Sequence, residues 1–152
     1  MKAAIYTIFS IVILIGCKDK AENKAGLQKT KKQVVEMDKG EEFQDLEFSS
    51  LNEHIIKSGE MMSPKEVLIK YYPAASEADS NAEITITENN IDDKNIELRL
   101  VHNDIMDDSV RGQKIIMALK KVGHRWVVVT LKKNWRCWEG RGNTDWGIAM
   151  CG

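Results

Sequence analysis

The side chains able to do chemistry gather at the two ends of this chain of 152 residues. Cys17 stands near the start, while Cys137 and Cys151 bracket a C-terminal stretch, NWRCWEGRGNTDWGIAMCG from Asn134 to Gly152, that also holds three of the four tryptophans. Within it, Gly140 and Gly142 let the backbone turn on both sides of Arg141. Asp145 is a carboxylate partner for Arg141 or Arg136 through a two-pronged hydrogen bond. Two uses of such a stretch compete. In one, Trp135 or Trp138 and Trp146 cover the end of a core while Arg141 and Asp145 clip the loop shut. In the other, Trp138, Arg141 and Trp146 form an exposed recognition surface with Asp145 holding the loop. Trp and Arg dominate binding hot spots, and an indole face can equally stack on a sugar ring.

The remaining candidates carry less. His54, His102 and His124 fall in an expected helix, a strand end and a turn, and no HxxxH or HExxH spacing links them. They are read as surface or edge histidines, and neither a metal site nor a cofactor is expected. The cluster Asp104-Ile105-Met106-Asp107-Asp108-Ser109 lacks the glycine and the alternating oxygen ligands of a calcium loop. Ser109 lacks the GxSxG context of an activated nucleophile. The expectation is a loop whose Asp and Ser side chains bond their own backbone. No residue is singled out as catalytic, although an acid and base pair assembled in space would make the chain a small envelope hydrolase.

The first residues, MKAAIYTIFSIVILIGCKDK, place Lys2 before an apolar run from Ala3 to Gly16 and then Cys17. That run falls short of the roughly 20 residues a spanning helix needs, and its layout is that of a secretory signal. Leu14-Ile15-Gly16-Cys17 resembles the lipobox of bacterial lipoprotein signal peptides. The resemblance implies that residues 1–16 are removed and that Cys17 becomes the first mature residue. Its sulfur would carry a diacylglycerol and its amino group a further acyl chain such as palmitate. Two or more chains make a stable anchor where one is marginal. Lys18 rather than Asp follows the cysteine, which by similarity to enteric lipoproteins implies the outer membrane, and the Lys-Asp pair is similar to the surface-export signals of Bacteroidetes lipoproteins. With Cys17 committed to lipid in a disulfide-permissive compartment, Cys137 and Cys151 are left for each other. Their spacing excludes CxxC redox chemistry. A disulfide closing a loop of about 15 residues contributes roughly 3 kcal/mol in the chain-entropy model.

Those sites need elements to hold them. Residues 17–48 read as a lipidated, disordered tether, with few large apolar residues and no clean period. Charge is segregated along it: six lysines oppose Asp19 and Glu22 from Cys17 to Gln33, and six acids oppose Lys39 from Val34 to Phe48. Residues 49–152 read as one α+β domain, since about 135 residues after signal removal allow one modest core and not two. Ser50-Leu51-Asn52-Glu53 and Ser63-Pro64-Lys65-Glu66 have capping-box spacing, predicting a helix to about Ser58 and a second, ending before Pro73, that buries Val67, Leu68 and Tyr71. Period-two alternation in AEITITE, NIELRLVH, QKIIMALKK and RWVVVTLKK predicts four strands in an antiparallel meander under one or two helices. Asn89 to Lys94 would form the first hairpin loop, and Val122-Gly123-His124 a tight turn. QKIIMALKK also satisfies helical spacing through Ile115, Ile116 and Leu119.

DDSVRG (Asp107 to Gly112) followed by two strands and then WRCWEGRGNTDWGIAMC (Trp135 to Cys151) resembles the C-terminal part of a group of exported bacterial proteins of unknown function. The similarity covers roughly residues 63–152 and implies one fold and export, with no activity attached. With a net charge of -1, no global field points to nucleic acid or membrane. From Arg111 to Gly152, however, nine Lys and Arg face Glu139 and Asp145, a balance of +7 that suits an acidic partner. The expected function is a membrane-anchored, non-catalytic envelope module. Its partner would be an envelope protein, peptidoglycan or glycan, met through Trp138, Arg141, Asp145 and Trp146.

Overall fold

The computed structural model describes residues 40–152. The expected signal peptide, Cys17 and most of the expected tether lie outside the described residues. Five strands and two α-helices follow in the order β1 (Gln44–Asp45), α1 (Ser49–Ser58), α2 (Pro64–Tyr71), a 3-10 turn (Pro73–Glu77), β2 (Ile84–Asp92), β3 (Asn95–His102), β4 (Val110–Val122) and β5 (Arg125–Cys137). The strands form one antiparallel sheet in the order β1-β5-β4-β3-β2. This is the expected α+β fold of short helices on an antiparallel meander, with one strand added at its edge.

QKIIMALKK resolves as the middle of β4. Alternation decides this, because Ile115, Met117 and Leu119 share the core face with Leu98, Leu100 and Ile96 of β3 across the ladder. A helix would have turned Ile116 inward as well. Val67 and Leu68 of α2 and Ile55 of α1 complete the core, all at 1 % exposure or less. Neither helix exceeds 10 residues, so each depends on that packing rather than on its own propensity.

Helix α2 starts as its sequence predicts. Ser63 Oγ accepts from the Glu66 amide, and the Glu66 carboxylate accepts from the Ser63 amide at 2.7 Å. Helix α1 does not use the expected Ser50 box. Its N-cap is Phe48, with no side-chain cap, and Glu47 instead accepts from the amides of Phe48 and Ser49 and from Ser49 Oγ. Gly59 ends α1 in the left-handed region. Asn52 then ties the helix to the sheet. The ladder of β4 and β5 shifts between Ala118 and Leu119, and at that irregularity the Asn52 side-chain amide donates to Val128 O while its oxygen accepts from Val128 N.

Two boundaries differ from expectation. Strands β2 and β3 continue through the predicted loop, leaving Asp93 and Lys94 as the turn, because Asp92 Oδ1 accepts from the Lys94 amide and from Asn95. The domain also begins before residue 49. Gln44 and Asp45 pair with Lys133 and Lys132 of β5, and Glu41 reaches the sheet. Residues 41–48 therefore belong to the fold and not to a disordered tether.

Candidate functional site

Strand β5 ends at Cys137, which is bonded to Cys151 with 5.5 Å between their Cα atoms. The expected disulfide is present. The enclosed loop folds back along the edge of β5: Trp135 and Gly147 exchange both backbone hydrogen bonds at 3.0 Å, and Cys137 N donates to Asn143 O. Strand β1 covers the same edge at Lys132 and Lys133. A strand edge open to other chains is thus occupied from both directions. At Gly142, φ is +137° and an added Cβ would lie 2.9 Å from Cys137 Sγ, so the turn around Arg141 needs glycine there.

The indoles are largely committed within the domain. Trp135 Nε1 donates to Ala149 O at 2.8 Å, and Trp138 Nε1 donates to Asp107 O at 2.9 Å. Each of the four tryptophans lies within 6 Å of a cation: Trp126 under Lys121, Trp135 under Lys133, Trp138 under Arg111, and Trp146 between Lys114 at 4.7 Å and Arg136 at 5.0 Å. Trp146 sits over Gly112, where an added Cβ would be 3.2 Å from its Cη2. Trp138 is clamped to the 103–109 loop. There Asp107 Oδ1 accepts from Ser109 and Val110 amides, the self-capping expected of that cluster. Bonds from the Val110 and then the Ser109 amide hold the Asp107 carboxyl below its ordinary value.

The expected pairing of Asp145 with Arg141 or Arg136 does not form. Arg136 Nη2 donates to Asn103 Oδ1 at 2.8 Å beneath Trp146, and Arg141 Nη1 reaches Gly152 O at 3.4 Å. Asp145 is exposed and contributes its backbone amide to Asn143 Oδ1 instead. Disulfide, edge bonds and glycine turn already fix the loop, so no carboxylate clip is required.

Beneath Trp146 lies a buried ionic group that sequence reasoning missed. On the sheet face opposite the helices, Lys114 Nζ donates to Glu41 Oε1 at 2.8 Å and Oε2 at 2.6 Å, and Asn134 Nδ2 donates to the same Oε2 at 3.0 Å. The Lys114 side chain is 3 % exposed and that of Glu41 15 %. Phe43 and Trp146 both lie against the ammonium. Lys114 alternates with apolar neighbours and reads as solvated, and Glu41 lies in an acidic run that reads as tether. Neither residue signals its partner.

The loop displays Arg141, Ile148 at 41 % exposure and Met150 at 89 % at the surface, along with polar Glu139, Asn143, Thr144 and Asp145, and Trp138 is half-buried. Among the described residues no group of three or more His, Cys, Asp or Glu is placed to hold a metal ion. His54 and His124 are exposed, and half-buried His102 shares a 2.7 Å hydrogen bond between its Nδ1 and Tyr72 Oη. A groove of about 490 Å³ on the β2 side is lined by Lys65, Asp79, Asn81, Thr85 and Glu88, and Lys65 is already paired with Asp79 there. Comparison of the chain with protein-family models, with curated proteins and with solved structures found no match in any of the three.

Proposed function

We propose that this chain is a lipid-anchored protein of the bacterial cell envelope, held in the outer membrane through Cys17, whose domain acts as a non-catalytic binding module. The contact surface is the disulfide loop. The observation that carries the binding reading is that Arg141, Ile148 and Met150 are displayed on a loop closed by Cys137–Cys151 and bonded along β5. Such a loop loses little conformational freedom on binding, so contact energy goes into affinity rather than into ordering. An arginine beside apolar side chains is a common hot-spot composition. Within the set read from the sequence, Arg141 and Trp138 make contact, Trp146 packs inside between Lys114 and Arg136, and Asp145 is exposed without the clip expected of it.

The anchor reading rests on the lipobox resemblance, and replacing Cys17 with Ala should leave an unprocessed precursor. The binding reading is tested by photo-crosslinking in living cells from positions 138, 146 and 150. A discrete protein or peptidoglycan adduct from 138 and 150, lost on Arg141→Ala, is expected. Silence at all three positions would reduce the loop to scaffold.

A further inference from the structure

The basic excess of the C-terminal third separates in space into two unlike ends. At the loop end, Arg111 and Arg141 stand among Asp104, Asp107, Asp108, Glu139 and Asp145, and Arg111 is paired with Asp104 at 3.0 Å. At the opposite end the β2–β3 and β4–β5 turns lie side by side, with Lys121 N donating to Lys94 O at 2.7 Å and Asn95 paired with Lys120. Lys94, Lys120, Lys121 and Arg125 all lie at this end, Lys120 and Arg125 on one face of the sheet and Lys121 on the other. Among the described residues none of these four makes an ion pair; the acids at this end are Asp92 and Asp93, with Glu97 next in from Lys120 on the same face and 3.7 Å from Arg99. Asp92 is already engaged by the Lys94 amide and by Asn95. Two large apolar side chains project at the same end, Val122 at 57 % exposure and Ile91 at 55 %, and half-buried Trp126 lies under Lys121 at 5.8 Å.

We propose that these paired turns are a docking surface for an anionic lipid bilayer, formed by Lys94, Lys120, Lys121 and Arg125 around Val122 and Ile91. The inference rests on the anchored reading above, which keeps the domain beside a lipid surface. Cations near such a surface are attracted within a Debye length, and exposed aliphatic tips flanked by lysine suit the boundary between headgroups and acyl chains. An acidic protein would complement the charge but gives no reason for the aliphatic tips. The reach is adequate. The described chain begins at Gly40, next to Glu41, which bonds Asn134, and strand β5 carries the turns about 30 Å from Asn134 at roughly 3.3 Å per residue. The 23 peptide links between Cys17 and Gly40 allow at most about 80 Å by covalent geometry, more than that distance. Turns on the lipid would leave Arg141 and its loop facing away from it, toward a partner.

The test is hydrogen exchange on the full-length lipidated protein, reconstituted into neutral phosphatidylcholine vesicles or into vesicles with phosphatidylglycerol added, at low salt. Amides of residues 91–94 and 121–125 should exchange at least about fivefold more slowly on the anionic vesicles. The triple variant K120E/K121E/R125E should abolish the difference, while residues 138–150 exchange alike in both. Equal exchange at the turns on both vesicles, or slowing confined to 138–150, would overturn the proposal. Slowing reproduced by soluble polyglutamate alone would also overturn it, by replacing lipid with a general polyanion. Flotation with neutral vesicles reports the anchor separately. A chain that fails to float refutes the anchored reading, and the turns are then judged by the same lipid comparison with vesicles added in excess.

Discussion

Replacing Glu41 with Gln changes one atom type in a segment whose sequence reads as tether, yet it should destabilise the whole domain. In the native arrangement the carboxylate takes two bonds from buried Lys114 and one from buried Asn134. Removing one member of a buried ion pair costs about 3–5 kcal/mol in general, because the other charge stays desolvated. The cost here is smaller, since Gln keeps one acceptor and the Trp146 face remains 4.7 Å from the ammonium. An estimate of about 2–3 kcal/mol follows. For a domain of this size that lowers Tm by about 8–12 °C. Thermal unfolding followed by circular dichroism, with a urea midpoint as a check, measures it. A Lys114→Met background supplies the control: with no ammonium left to pair, the same Glu41→Gln change should be neutral or favourable. A Glu41→Gln protein within about 0.5 kcal/mol of the parent would show that Glu41 lies outside the cooperative unit, and an equal loss in both backgrounds would show that the loss does not come from its pairing with Lys114.

Three further outcomes are expected. Changing Cys137 and Cys151 both to Ala should cost roughly 3 kcal/mol through the unfolded chain, and urea denaturation of the double variant measures that loss; peptide mapping of the parent without reductant should recover one cross-linked peptide. Gly142→Ala places a Cβ against Cys137 Sγ on a backbone at φ +137°; strain plus overpacking should cost at least about 1–3 kcal/mol, whereas Gly123→Ala, with open space around it, should lose less in the same urea titration. Asp107 has a folded pKa depressed by the Val110 and Ser109 amides, so its contribution is present above its ordinary value of 3.8 and is lost as pH falls through the lowered folded value. The stability advantage of the parent over Asp107→Asn should therefore be largest near neutrality and shrink on acidification, and a pH-independent difference would contradict the assigned bonds.

What the sequence determined by itself is the part written in local periodicity and local chemistry. Alternation placed β2 to β5, the Ser63-Pro64 box placed the start of α2, and a pair of cysteines placed the loop closure. These signals work because each depends on residues a few positions apart, or on two cysteines left to pair. The tertiary structure alone decided the edge strand at Gln44 and Asp45, the burial of Lys114 against Glu41, and the seat of Trp146 between two cations over Gly112. A strand of two residues is held by backbone bonds to a distant partner and has no period to read. An ion pair between positions 41 and 114 leaves no trace in either neighbourhood, because the burial that makes it strong is created only when the sheet and the C-terminal loop close over it.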